Sequence, residues 1–267
     1  MLFKEDKIET GRFWDNLPIS FYKDIINDIE RKRKIRNYES LYENLKILSS
    51  QLYIVTLGFS KGVTIYRMRQ NLQEGQLMEQ GINFPYDPKY ASEGRFNYKE
   101  QIMAYYADSI ETCNAETSNN KEWNSQHLLK CIIEDGNPQL GFSAPFEPIE
   151  KLKKNSAYLI YQEMISEYKS KIKNNEIFEK KRLVTNYLGN EICNSRSDYF
   201  ITQVLSHIIF SDLGFDGLIY PSTKMRLKRN NIVFPPDNAL KFVKPYMAVG
   251  RSHEAIYDIV LYDRNKK

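Results

Sequence analysis

Arg67 and Arg69 alternate with Tyr66 and Met68 in the run that follows Ile65. An arginine among apolar neighbours is costly unless something balances its charge. Its planar fork suits a diphosphate or a carboxylate; a structural ion pair is the competing reading. A third arginine stands in Gly94-Arg95-Phe96-Asn97, where the glycine would let backbone come close to a ligand. A carboxylate follows. The stretch from Tyr105 to Glu116 reads as a strand handing over to a helix. Asp108 and Glu111 have the spacing of a capping box, with Asp108 as the N-cap. Glu116 then falls about two turns in, at the edge of a packed side made by Ile110, Cys113, Asn114 and Thr117. The competing reading is an exposed helix glutamate. A hydroxyl completes the set, because Gly217 to Tyr220 reads as a short buried strand that ends in Pro221-Ser222. No Gly-x-Ser-x-Gly surrounds Ser222 and no His/Asp partner order accompanies it. Ser222 is therefore expected to donate a hydrogen bond rather than to act as a nucleophile.

The elements that must hold these groups follow from periodicity. Residues 14–50 read as helical, with Pro18 in a first turn and Tyr22, Ile25, Ile26, Ile29, Tyr42, Leu45 and Leu48 as the apolar stripe. Strands are expected at 63–69, 102–107, 126–133, 217–220 and 231–234. Helices are expected from Asn155 or Ser156 to about residue 173 and over 197–211. The connection over 70–98 is long and rich in Gly, Pro, Asn and Asp, a pattern more often functional or mobile than structural. Short strands mixed irregularly with helices predict an α+β fold rather than a doubly wound sheet.

Composition sets the outer bounds. With 42% hydrophobic residues the chain can build a core. Its net charge of +4 permits an anionic ligand without demanding nucleic acid, so nucleic acid is not the expected partner. The 19 tyrosines suit a cleft lined by aromatic rings, although a general bias of the sequence toward Tyr, Ile, Asn and Lys accounts for them equally well. Three cysteines without a CxxC spacing and three scattered histidines argue against a disulfide framework and a metal site. The residues from Met1 to Arg12 carry charges rather than an apolar signal run, and no stretch reaches the ~20 apolar residues of a membrane span. A cytoplasmic location is expected. The basic run Arg31-Lys32-Arg33-Lys34 is expected to be a solvated face.

The order and spacing of these pieces resemble the RES domain, a family named for its Arg, Glu and Ser. The resemblance rests on Tyr66-Arg67, Gly94 to Asn97, Tyr105 to Glu116, Tyr199 to Gln203, and Gly214 to Ser222. It covers roughly residues 60 to 240. Cys113 stands where the family has a small alanine. Residues 140–195 look like an insertion or an elaborated region, and the first 50 residues have no counterpart. Members of the family are toxins of bacterial toxin–antitoxin pairs that deplete NAD⁺ by hydrolysis or phosphorolysis. The resemblance implies an ADP-ribosyltransferase-like mixed sheet with flanking helices over residues 56–267, and the helical periodicity of the residues before it makes 1–55 an N-terminal helical extension. The resemblance also implies NAD⁺ as substrate with no further cofactor and a cognate antitoxin as partner; a homo-oligomer is an open alternative that the sequence does not decide.

Cleavage of the nicotinamide–ribose bond creates an oxocarbenium-like centre, which a carboxylate such as Glu116 would stabilise. Nicotinamide leaves neutral, so no strong general acid is needed. Arg67, Arg69 and Arg95 would grip the diphosphate, with Asn97 lining the same site. Tyr105 would stack on or hydrogen-bond the ribose, and Ser222 would orient nicotinamide or the acceptor. Two further readings stand beside this one. The first is an ADP-ribosyltransferase acting on a macromolecule. The second is a non-enzymatic binding module using Arg31 to Lys34 and the cluster Lys224, Arg226, Lys228 and Arg229. That second cluster would contact substrate phosphates or an acidic antitoxin surface, or would be a solvated loop.

Overall fold

The computed structural model of the chain describes residues 14, 16–59, 62–70, 87–117, 125–134, 137–147, 149–193, 198–252 and 256–259, without the side chains of residues 251 onward. Most of the 70–98 connection and the charged N-terminus lie outside the described residues. The fold is α+β. Helices α1 (Ile19–Arg33) and α2 (Tyr38–Ser49) precede strands β1 (Val55–Leu57), β2 (Thr64–Gln70) and β3 (Ala104–Ala107). Helix α3 (Ile110–Thr117), strands β4 (Ser125–Ile133) and β5 (Leu140–Phe142), and helices α4 (Ser156–Lys171), α5 (Asn175–Cys193) and α6 (Phe200–His207) follow. The chain continues with β6 (Gly217–Pro221), β7 (Asn230–Phe234), α7 (Pro236–Phe242), β8 (Val243–Ser252) and β9 (Ile256–Ile259).

Among the described residues nine strands form one sheet in the order β1-β5-β6-β7-β3-β2-β4-β8-β9. Only the β5–β6 pair is parallel; its neighbours are antiparallel. Strand alternation sends successive side chains to opposite faces. In β6 and β7, Ile219, Ile232 and Phe234 enter one core cluster with Tyr158 and Tyr161 of α4. Leu218, Tyr220 and Val233 enter a second cluster with α1, α2, α5 and α6. Both faces of the central sheet are therefore covered, which is why its middle strands are buried throughout.

Several expectations need correction. The stretch read as helical over 14–50 is two helices, broken where Arg36 adopts a left-handed φ of 52°. Pro18 is the residue before the first helical turn rather than within it. The two helices over 19–49 are not an appendage, since their Tyr22, Ile29, Leu41, Leu45 and Leu48 are fully buried in the second cluster. The 140–195 region is not an insertion outside the sheet, because it supplies β5, which sits between β1 and β6. In the basic run, Arg33 is buried and paired with Glu191 and Asp198. Asn155 does cap α4, its Oδ1 accepting from the Tyr158 amide at 3.1 Å.

Candidate functional site

A cleft of about 640 Å³ opens beside β2, β3 and α3, and its wall includes residues 90–95 and the start of β7. Arg67, Arg69, Arg95, Asn97, Tyr105 and Glu116 all line it; Ser222 does not, and sits behind Glu116.

Arg67 is 7% exposed. Its Nη1 donates to the Tyr105 carbonyl at 2.8 Å, while its buried Nε has no partner. Among the described residues no carboxylate pairs with it. Burial therefore pulls its pKa down, opposed by weaker interactions with groups such as Tyr106 and Cys131. Arg69, two residues along the same strand, lines the same cleft. Burial, with the Arg67 charge nearby, brings it down to about 10, so it remains a cation at neutral pH. Two guanidiniums on one strand, with no carboxylate paired to either among the described residues, make a strong anion site.

Glu116 reaches the cleft from the last turn of α3. Its Oε1 accepts from Ser222 Oγ at 2.6 Å and from Asn231 Nδ2 at 2.7 Å. Both donors reach one oxygen, and Oε2 has no protein partner among the described residues. Ser222 is fully buried, and the loop after it folds back so that the Met225 amide donates to its Oγ and the Leu227 amide to its carbonyl. The serine is thus fixed to hold the carboxylate rather than to attack. Asn231, at the start of β7, was not foreseen. A neutral amide opening a strand carries no signal in sequence, and only the register of β7 against β3 and β6 brings it to Glu116.

The start of α3 differs from the capping box read in the sequence. Ser109 is the cap, its Oγ accepting from the Thr112 amide at 3.2 Å. Asp108 instead binds the backbone amide of Asn230 at 2.8 Å and Thr112 Oγ1 at 3.1 Å, tying α3 to β7. Burial raises the pKa of Asp108 despite these bonds. The packed side of α3 is Thr112 and Cys113, while Ile110 and Asn114 face outward. The three cysteines are buried thiols, and burial pushes Cys113, which lines the cleft, up to about 12.

The Gly-Arg-Phe-Asn segment is a turn closed by its own side chains. Asn97 Nδ2 donates to the carbonyls of Ser92, Tyr98 and Gln101, and its Oδ1 accepts from the Tyr105 hydroxyl at 2.8 Å. A Cβ on Gly94 would overlap Asn97 Oδ1 and press on that hydroxyl, so the glycine makes room for the protein's own atoms rather than for a ligand. Helix α6 holds the turn from outside. Thr202 Oγ1 donates to the Arg95 carbonyl at 2.6 Å, Gln203 Nε2 to the carbonyls of Gly94 and Asn97, and Ser206 Oγ to that of Phe96. Thr202-Gln203 carries no assigned role in the sequence alone, where polar residues within an apolar helix are its available signal. The product of this clamp is the pose of Arg95. Its Nη1 donates to the Ile192 carbonyl at 2.7 Å and its Nη2 to Thr223 Oγ1 at 3.3 Å. Its Cζ lies 5.8 and 5.4 Å from the rings of Tyr199 and Tyr220.

Of the basic cluster after Ser222, only Lys224 lines the cleft; Arg226, Lys228 and Arg229 are exposed. Among the described residues no group of His, Cys, Asp or Glu converges as metal ligands do. No described helix is long and apolar enough to cross a membrane. No protein-family model and no curated protein matches the chain.

Proposed function

We propose that the chain is an NAD⁺-consuming enzyme of the RES type, built on an ADP-ribosyltransferase-like sheet, that breaks the nicotinamide–ribose bond and passes ADP-ribose to water or phosphate. The observation that carries this reading is one carboxylate fixed by two neutral donors, Ser222 and Asn231, in a cleft that also holds two arginines with no carboxylate partner among the described residues. A fixed anion beside fixed cations suits a substrate that is negative at its diphosphate and becomes positive at its ribose in the transition state.

In this mechanism Arg67 and Arg69 bind the diphosphate, and Arg95 supports its neighbouring face. Ser222 and Asn231 hold Glu116 so that its carboxylate lies against the ribose. The C1′–N bond breaks with its electron pair going to nicotinamide, which departs neutral. An acceptor oxygen then bonds C1′ and its proton passes to solvent. Because both hydrogen bonds to Glu116 are already made, the carboxylate needs no reorganisation as positive charge grows. As a toxin, the chain would arrest growth by draining NAD⁺ unless a cognate antitoxin blocked the cleft.

The test is to incubate the purified chain with NAD⁺, with and without phosphate, and identify the products. Nicotinamide together with ADP-ribose or its 1-phosphate is expected. Glu116→Gln keeps the shape and removes the charge, and should lower the turnover about 10²–10³-fold with an unchanged melting temperature. A fully active Gln variant would remove Glu116 from the chemistry. Label appearing on protein or nucleic acid would favour a transferase, and salt-sensitive nucleic-acid binding without NAD⁺ loss would favour the binding module.

A further inference from the structure

Arg33 lies outside the cleft, at the end of α1, and its side chain is 8% exposed. It reaches two segments that are separate in sequence. Nη1 and Nη2 donate to the two carboxylate oxygens of Glu191 at 3.1 and 3.0 Å, a bidentate pair, and Nε donates to Asp198 Oδ2 at 3.0 Å. Each acceptor is the chain neighbour of a residue that holds Arg95. Glu191 precedes Ile192, whose carbonyl takes Arg95 Nη1. Asp198 precedes Tyr199, whose ring faces Arg95. Asp198 Oδ1 also accepts from the Phe200 amide at 3.2 Å, fixing the start of the helix whose Thr202 binds the Arg95 carbonyl.

We propose that Arg33 is a positioning residue for the cleft: by clamping the end of α5 to the start of α6 it fixes the pose of Arg95. The N-terminal helix thereby becomes part of the binding machinery rather than a cover for the core. Buried arginine–carboxylate pairs add little net stability over well-packed apolar residues, so geometry is the stronger reason for this one. Asp198 also meets the exposed Arg36 at 3.5 Å, and Arg33 meets Glu30 at 3.6 Å, but neither contact leads toward the cleft.

The kinetic part of the test rests on the function proposed above; the chemical part does not. Full-length Arg33→Gln and Asp198→Asn variants would be treated with a glyoxal reagent that modifies guanidinium groups, and the rate at Arg95 read by peptide mass. The half-exposed Arg182 serves as the internal reference. Arg95 should be modified about fivefold faster in Arg33→Gln, with Arg182 unchanged, and to a lesser degree in Asp198→Asn, where one arm of the clamp remains. The KM for NAD⁺ should rise about tenfold with little change in kcat, and this rise should vanish in an Arg95→Gln background. An unchanged Arg95 rate in folded variants overturns the inference. Should Arg33→Gln not fold, Asp198→Asn decides, since Asp198 is a third exposed and its loss is tolerable. If the wild-type chain leaves NAD⁺ intact, the proposed function fails while the modification rates still decide the clamp.

Discussion

Burying a guanidinium without a balancing carboxylate opposes folding, and among the described residues Arg67 is buried in that way, with a hydrogen bond to the Tyr105 carbonyl. A residue that lowers stability and sits in a cleft is one the fold retains for binding. Arg67→Met, which keeps the length and removes the charge, should therefore stabilise the protein by roughly 1–2 kcal/mol while abolishing NAD⁺ turnover. Urea unfolding and a nicotinamide-release assay on the same preparation check this, and a destabilised variant would make the Tyr105 contact structural instead. The same residue explains what could be read in advance. Charged side chains in apolar runs are conspicuous, so Arg67 and Arg69 stand out by type, whereas Glu116, exposed on a polar helix, is singled out only by its place in the ordered motifs. Asn231 and Thr223 are neutral, and their roles arise from strand register and from a loop, neither of which is written in local composition.

Elements with a long apolar period were legible, and short or closely packed ones were not. The helical spacing of Tyr158, Tyr161, Ile165 and Tyr168 marks α4; the first three are buried and Tyr168 is half-buried. Strand β5 has three residues, too few for a period, and β8 carries Pro245 beside a register shift between Lys130 and Cys131, where the ladder tolerates a missing donor. Helix α5 was hidden for a different reason. Its buried side includes Gly189, Lys180 and Glu191 as well as apolar residues, so its stripe looks broken. Gly189 is where α5 touches backbone: a Cβ there would lie 2.5 Å from both Ala144 C and Pro145 N. Alanine raises helix propensity by about 1 kcal/mol, but overlap with rigid backbone usually costs more, about 1–3 kcal/mol. Gly189→Ala should thus be destabilising overall, with a lower urea midpoint and an unchanged slope. Because α5 presents the Ile192 carbonyl to Arg95, its displacement should also raise the KM for NAD⁺.

The division of the chain into a helical extension and a catalytic unit followed from where the family-like motifs begin, and motif content says nothing about where a core ends. In the structure α1 and α2 contribute Tyr22, Ile29, Leu41, Leu45 and Leu48, all fully buried, to the cluster that also contains Val204, Leu218 and Val233. Covering such a side chain is worth about 1.5–3 kcal/mol, so removing five of them forfeits on the order of 7–15 kcal/mol, as much as the whole net stability of an ordinary domain. Part of that burial is between α1 and α2 themselves, yet even half of it would leave little margin. The loss of Arg33 adds to it by removing the bidentate ion pair made to Glu191. A chain starting at residue 51 should therefore be insoluble or lack a cooperative melting transition, and circular dichroism of the refolded fragment is the direct check. A fragment that melts cooperatively and turns over NAD⁺ at the full-length rate would restore the two-part division and detach the N-terminal helices from the cleft. One that melts cooperatively but binds NAD⁺ weakly would separate the two roles of the segment, leaving its burial dispensable and its hold on Arg95 intact.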